Sequence, residues 1–427
     1  MKSSRGRSIR YVEDVWRLGL CTGCGTCVGV CPNNVLTMNQ DYEIPVPTIT
    51  KSSDCTACNR CIKACPGVSV DFEHLNETIF GKQPKDFQLG VFDSCYLGKT
   101  LDQKIRDVYS SGGVISSLLT YLLESGIING ALVTKMSSEN PFQTEAFLAN
   151  TVKEIRQAAG SKYCPVATNT VIKDILRKDG KFAVVGLPCH IQGLRKAESL
   201  DPKLKAKIFV HLGLFCGHTV NSFGIFYLLK KLHIEKEDVT QIRYRSHGWP
   251  GGLLVELRDK DSIFYPPQAY WNNLFSNFSF TPKRCLLCPD GVNEFADLSF
   301  GDAWLPEIPR GRYGTSIIIS RTAIGEHLLN LGKSSGKIEL IKIKPEKVIQ
   351  SQKAMLTFKK RKLPARIFAA KMIGLLPPQI TVQLPKPLPT DYLTAILPFW
   401  VASLSSKKGE QELSRVLGYI TRLTNAL

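Results

Sequence analysis

Eight cysteines fall into two runs. The first is CTGCGTCVGVCP, with Cys21, Cys24, Cys27 and Cys31 ahead of Pro32. The second is CTACNRCIKACP, with Cys55, Cys58, Cys61 and Cys65 ahead of Pro66. Both read C-x2-C-x2-C-x3-C-P, the spacing that binds two 4Fe-4S clusters. Three thiolates two residues apart wrap one cube, and the fourth crosses to the other cube. Cys21, Cys24, Cys27 and Cys65 are therefore expected on one centre, and Cys55, Cys58, Cys61 and Cys31 on the other. Zinc would use paired C-x2-C motifs without a third cysteine in series. Gly23, Gly25 and Ala57 are small enough to let backbone N–H groups approach the sulfurs. Two adjacent clusters make a short electron wire, which names no substrate.

Four more cysteines lie at three loci. Cys189 and Cys216 each follow an apolar strand-like run, and Cys285 and Cys288 form a C-x2-C pair. Open α/β sheets put ligands at the C-terminal edge of their strands. These four thiols suit a third cube; scattered core cysteines are the alternative. A Cys189–His190 nucleophile is disfavoured, because chain neighbours rarely face each other. Cys95 and Cys164 have no partners in sequence and read as structural. His74, His211, His218, His233, His247 and His327 lack metal-ligand spacing and read as packing or surface residues.

Those loci need elements to hold them. Ser110-Ser111-Gly112-Gly113 precedes an amphipathic helix expected over Val114 to Glu124, with Gly126 as its stop and a buried strand from Ala131 to Lys135. Such a turn at a helix N-terminus suits a phosphate, although it also serves as a plain cap, and no G-x-G-x-x-G follows a strand here. Lys181 to Gly186 reads as a strand, LPCHIQGLRK as a loop, and KIFVHLGLFCGH as a strand and its edge. The chain has 427 residues, with 55 Lys and Arg against 37 Asp and Glu, a net charge of +18 that favours a polyanionic partner. Nucleic acid is not expected, because the aromatics are not interleaved with the basic runs. No apolar run is long enough to span a bilayer, and MKSSRGRSIRYVEDVW has no apolar core of a secretory signal, so a disulfide scaffold is not expected.

Taken together, SSGGVISSLL, SKY, GLPCHIQGLRK, FCGH, YRSHGWPGG, RCLLCPDGVNEFADLSFGDAW and GTSIIISR resemble the coenzyme F420 hydrogenase/dehydrogenase beta-subunit family, from about residue 85 to about residue 345. The resemblance implies bound FAD, a further 4Fe-4S centre on Cys189, Cys216, Cys285 and Cys288, and a deazaflavin site over the flavin. It implies that Ser111, Gly112 and Gly113 cradle FAD phosphates and that Ser161 and Lys162 reach the same cofactor. Arg243, Arg245, His247 and Trp249 would line the flavin or the substrate, and Asp302 would orient a ring nitrogen or a loop. The implied activity takes a hydride from reduced coenzyme F420 onto FAD and passes single electrons to clusters, then to a redox partner subunit or ferredoxin. An anionic deazaflavin coenzyme suits the basic balance. The motifs also resemble 7-hydroxymethyl chlorophyll a reductase, so a ferredoxin-dependent reductase of an organic substrate is the alternative.

The expected class is α+β: a two-cluster ferredoxin-type module over residues 1–82, an α/β flavin domain over 83–345, and a basic, mainly helical extension over 346–427. In that extension Lys359, Lys360, Arg361, Lys362 and Arg366 flank an apolar stretch, and Pro398 reads as a helix interruption. It reads either as a solvated basic face over a covering helix or as a surface for an anionic bilayer or a partner subunit; partner docking is the expectation. The expected location is the cytoplasm, either free or at the membrane periphery.

Overall fold

The computed structural model describes residues 9–106 and 110–407. Its centre is an eight-stranded sheet. From edge to edge the strands are Ile338–Ile343, Ser94–Thr100, Ser316–Ser320, Leu298–Asp302, Ile208–Leu214, Phe182–Gly186, Gly130–Met136 and Thr144–Ala149. The four from Leu298–Asp302 to Gly130–Met136 run parallel, and antiparallel strands flank them on both sides. Side chains alternate between the two faces, as a pleated strand requires. Ile318 joins Val114, Leu118, Leu212 and Phe300 in one core, while Ile317 and Ile319 join Cys95 in another. The expected helix is present as Val114–Glu124.

One expectation is corrected. LPCHIQGLRK is not a loop but the start of the helix Pro188–Leu200. Pro188 opens that helix, where its missing N–H is no loss. Gly193, which reads as a breaker, lies against the N-terminal module: a Cβ there would meet Thr26 Oγ1 at 2.2 Å.

The N-terminal module is bolted to this sheet domain. Asn169 N–H donates to the Cys24 carbonyl (2.9 Å), and its side chain bridges Thr26 Oγ1 and the His190 carbonyl, both at 2.8 Å. Lys196 donates to the carbonyls of Cys65 (2.8 Å) and Ser69 (2.5 Å), and Arg284 to that of Pro66 (3.0 Å). A separate three-stranded antiparallel sheet, Val239–Ser246, Gly252–Leu257 and Ile263–Tyr265, carries the YRSHGWPGG turn.

The extension is mainly helical over its described part, and it returns to the N-terminal module, where Gln379–Thr381 pairs in parallel with Ser69–Asp71. Two corrections apply. Lys359 and Lys360 are each 1% exposed, and Arg366 is also buried, so this run is no solvated basic face. Pro398 starts rather than interrupts a helix, Leu397–Lys407, because its position in the first turn needs no N–H partner. Residues 408–427 of the expected tail lie outside the described residues. Among those described, no helix is long and apolar enough to cross a membrane.

Candidate functional site

The two cysteine runs fold as repeats of each other. Gly23 and Gly25 take positive φ (72° and 78°), and their counterparts Ala57 and Asn59 do the same (50° and 59°). This left-handed path, easy for Gly and unusual for Ala, curls the backbone around the sulfurs. The Gly23 N–H donates to Cys21 Sγ at 3.4 Å. Burial pushes the Cys27 thiol well above its usual pKa, and the sulfurs of Cys24, Cys65, Cys21 and Cys61 push it the same way. Cys61 is pushed up to about 11, by burial and then by Cys58 and Cys31 among its neighbours. Cys21, Cys24, Cys27 and Cys65 thus share one locus, and Cys31, Cys58 and Cys61 a second beside it. Cys55 and Cys58 are exposed.

The third set also converges. Cys189 sits in the first turn of its helix. Burial raises its pKa strongly, followed by the sulfurs of Cys24, Cys216, Cys285 and Cys288. Cys216 is pushed up to about 12, chiefly by burial. Cys24 therefore neighbours both this set and the first N-terminal one. All of these cysteines are free thiols, and among the described residues no trio of Cys, His, Asp or Glu closes on a single ion. Sulfurs crowded at one locus are the donor set of a multinuclear iron centre, whose positive charge would deprotonate its ligands.

The Ser-Gly-Gly turn meets the next strand. Gly112 N–H donates to Ser316 Oγ (3.0 Å), and Ser111 Oγ donates to the Thr315 carbonyl (3.3 Å). A Cβ on Gly112 would lie 2.3 Å from the Gly98 carbonyl oxygen, so no side chain fits. Gly113, at φ 72°, caps Val114–Glu124. The first bond inside that helix is Ser117 N–H to the Gly113 carbonyl, so the N–H groups of the first turn have no carbonyl ahead of them. Ser161 N–H donates to Ser110 Oγ (2.8 Å), which ties the SKY segment to the same turn. Lys162 turns its ammonium back onto the carbonyls of Ala158, Ala159 and Gly160, and burial lowers its pKa to about 8.

Asp302 gathers the other side. Its two carboxylate oxygens accept from Arg245 Nη1 (2.7 Å) and from the Trp249 indole N–H (3.0 Å). Asp302 thus anchors a loop, and the ring nitrogen it orients belongs to Trp249. Trp249 packs on Trp304 (4.8 Å) and against Gly314, whose own absent Cβ would also crowd Ser111. The His247 ring meets Phe264 at 4.5 Å. Together with Gly248, Gly311 and Arg312 it lines an open cleft of about 550 Å³. Arg243 is turned away, to Glu256 at the surface (2.9 Å).

One contact links the strand that ends in Asp302 to the segment that carries Cys216. The Phe215 ring lies where a Cβ on Gly301 would be, at 2.1 Å. Phe215 precedes Cys216, and Gly301 precedes Asp302. Three features of this arrangement were not singled out from sequence: Lys196, Arg284 and the inward-facing role of Lys359. Their partners are far away along the chain, so no local spacing marks them.

Comparison with known proteins narrows the class. Residues 20–68 match a 4Fe-4S dicluster domain. Residues 95–173 and 179–346 match the N-terminal and C-terminal models of the coenzyme F420 hydrogenase/dehydrogenase beta subunit. An iron–sulfur electron-transfer module joined to a redox-enzyme subunit is the class these define. More particularly, the chain belongs to the coenzyme F420 hydrogenase/dehydrogenase beta-subunit family. It is 27% identical over 301 residues to the coenzyme F420 hydrogenase subunit beta of Methanothermobacter thermautotrophicus, covering 67% of this chain and 98% of the relative. It is 28% identical over 331 residues to the coenzyme F420-dependent sulfite reductase of Methanocaldococcus jannaschii, covering 73% of this chain and 46% of that protein. A chain of the F420-reducing NiFe hydrogenase complex from Methanosarcina barkeri shares the fold, with a TM-score of 0.54 and 22% identity over 70% of this chain and 98% of that one.

Proposed function

We propose that this chain is an iron–sulfur flavoprotein oxidoreductase that takes a hydride from reduced coenzyme F420 onto FAD and passes single electrons through three 4Fe-4S centres to a redox partner. The observation that carries it is Cys24, whose sulfur neighbours both Cys189 and the Cys21–Cys65 set. Electrons entering at the cleft would then pass Phe215 to the Cys189, Cys216, Cys285 and Cys288 centre. From there they pass to the Cys21, Cys24, Cys27 and Cys65 centre, and last to the centre on Cys31, Cys55, Cys58 and Cys61, whose exposed edge suits partner docking.

The turn at Ser111, Gly112 and Gly113 fits an FAD pyrophosphate through the N–H groups and dipole of its helix. Ser161 holds the SKY segment against that turn. His247 and the Trp249 loop, fixed by Asp302, form the wall where flavin and substrate would meet. Bound there, FAD would take a two-electron hydride and release one electron at a time, which clusters require. The exposed Arg312 lines the cleft and favours an anionic coenzyme.

The test is anaerobic. Iron- and FAD-replete protein given reduced coenzyme F420 is expected to bleach at the flavin band and develop the EPR signal of reduced clusters, with no response to NADH or NADPH. The bleaching rate should fall about tenfold or more from low to high salt, as for a steered anion. Flavin reduction by ferredoxin alone would sink this reading and favour a ferredoxin-driven reductase.

The tail joins the proposal as a docking face for a cytoplasmic partner subunit. Phe368, Met372, Leu393 and Trp400 are exposed large apolar residues on its helices. Phe368 meets the exposed Tyr392 ring at 5.7 Å, so two of these helices share an apolar face that suits an interaction surface. A Met372→Glu, Leu393→Glu double variant should keep its clusters and lose co-purification with the partner. Unchanged co-purification, or loss only of membrane recovery, would refute partner docking.

A further inference from the structure

The C-terminal segment sends a charge into the third cysteine set. Lys359 lies in a turn of π-helix, Thr357–Arg361, which follows the short helix Lys353–Leu356. Such wide turns occur frequently at functional sites. Here the turn buries two successive lysines. Lys360 has an ordinary partner: Glu294, at 2.5 Å, is buried beside it. Lys359 is different. Among the described residues no carboxylate is ion-paired with it; the sulfurs of Cys288, Cys216 and Cys285 and the His218 ring face it. A buried ammonium without a counter-charge is strongly unfavourable.

The turn is held in place by the cysteine loop itself. Arg366 Nε donates to the Leu286 carbonyl (2.9 Å), between Cys285 and Cys288, and its Nη2 donates to the Phe358 carbonyl (2.6 Å). The Arg366 guanidinium also stacks on the Phe358 ring at 3.6 Å. Phe358 in turn stacks on Phe278 at 4.5 Å. Met355 packs where a Cβ on Gly291 would be, at 3.1 Å. The placement of Lys359 is therefore enforced from both sides of its own residue. It lies beyond residue 346, outside the matched family models.

We infer that Lys359 is a positioning charge for the iron–sulfur centre on Cys189, Cys216, Cys285 and Cys288, and that its ammonium raises the reduction potential of that centre. This rests on the third centre proposed above. The step involved is the addition of one electron to the centre, with no bond made or broken. A fixed cation beside the thiolates stabilises the more negative, reduced state, and net charge and hydrogen bonds to sulfur are among the factors that set cluster potentials.

The test is an EPR-monitored redox titration of the full chain, with iron analysis. Three cubes give about twelve irons per chain. The third-centre signal is the one absent from Cys285→Ala. Lys359→Gln and Lys359→Met should keep the iron and lower that signal's midpoint. The expected shift is about tenfold in the oxidised-to-reduced ratio at fixed potential, or about 59 mV for one electron. The exposed Lys353→Gln should not move it. About eight irons in the unaltered chain would overturn the third centre, whatever Lys359 does. About twelve irons in every variant with an unmoved midpoint would overturn the role of Lys359 alone. If the neutral variants lose iron, Lys359→Arg decides: restored iron with the original midpoint supports the assignment, and no restoration overturns it.

Discussion

Cys189→Ala is expected to separate flavin reduction from cluster reduction. The substitution removes one thiolate of the proposed third centre, so about four of the irons should be lost on purification. The remaining groups at the cleft are untouched: Ser111 and Gly112 are held by Thr315 and Ser316, Trp249 by Asp302 and His247 by Phe264, and none of these hydrogen-bonds to Cys189 in the pattern described above. Reduced coenzyme F420 should therefore still bleach the flavin. The EPR signals of the N-terminal clusters should fail to appear on that timescale, because the link from Phe215 through the third centre to Cys24 is gone. Dithionite should still reduce those clusters directly, which shows that they are present. If the N-terminal clusters are reduced by the coenzyme as fast as in the unaltered protein, electrons do not travel through Cys189 and the proposed order of centres is wrong.

Much of this site is local in sequence, and that part was legible. The C-x2-C-x2-C-x3-C-P repeats carry their own geometry, since three ligands of a cube come from one short stretch. Val114–Glu124 was readable because a Ser-Gly-Gly start, an apolar stripe and Gly126 all lie within one segment. The helix Pro188–Leu200 was not, since Pro188 and Gly193 are breakers by local rule. Only the folded chain shows that Pro188 is a helix start and that Gly193 is a contact point for Thr26. The Lys359–Lys360 run failed for a related reason. Charge runs are usually solvated, and the partners that reverse this, Glu294 and the Cys288 loop, are some seventy residues away. Asp302 shows the same limit: its type and its place after a strand were readable, but not its grip on Arg245 and Trp249.

Asp297→Asn is expected to cost the protein about 3–5 kcal/mol of stability, the usual effect of breaking a buried ion pair from one side. Asp297 lies just ahead of the strand that ends in Asp302. Its Oδ2 accepts from the His211 backbone N–H (2.8 Å), contacts His211 Nδ1 (3.0 Å) and pairs with Arg195 (3.3 Å). His211 Nε2 in turn meets Glu198 at 2.6 Å. This network joins the helix that carries Cys189 to the strand that leads to Cys216 and the strand that leads to Asp302. Weakening it should loosen all three. The pH dependence has a defined sign. Burial opposes ionisation of both carboxylates, but Arg195 and His211 hold Asp297 well below the usual range, and His211 with Arg195 holds Glu198 below it. Their contribution is present above the unfolded carboxylate pKa values of about 4 and is lost as pH falls through the lower folded values. Burial and Arg195 lower the His211 pKa, yet Glu198 and Asp297 raise it overall. The histidine contribution is therefore full below its unfolded pKa of about 6.5 and is lost as pH rises through the raised folded value. The stability gap between the unaltered chain and Asp297→Asn should be widest from about pH 4.5 to about pH 6.5 and narrow on the alkaline side. Urea midpoints of the iron-replete protein across that range measure it. A gap that stays constant with pH would mean that His211 is not charged in the folded chain.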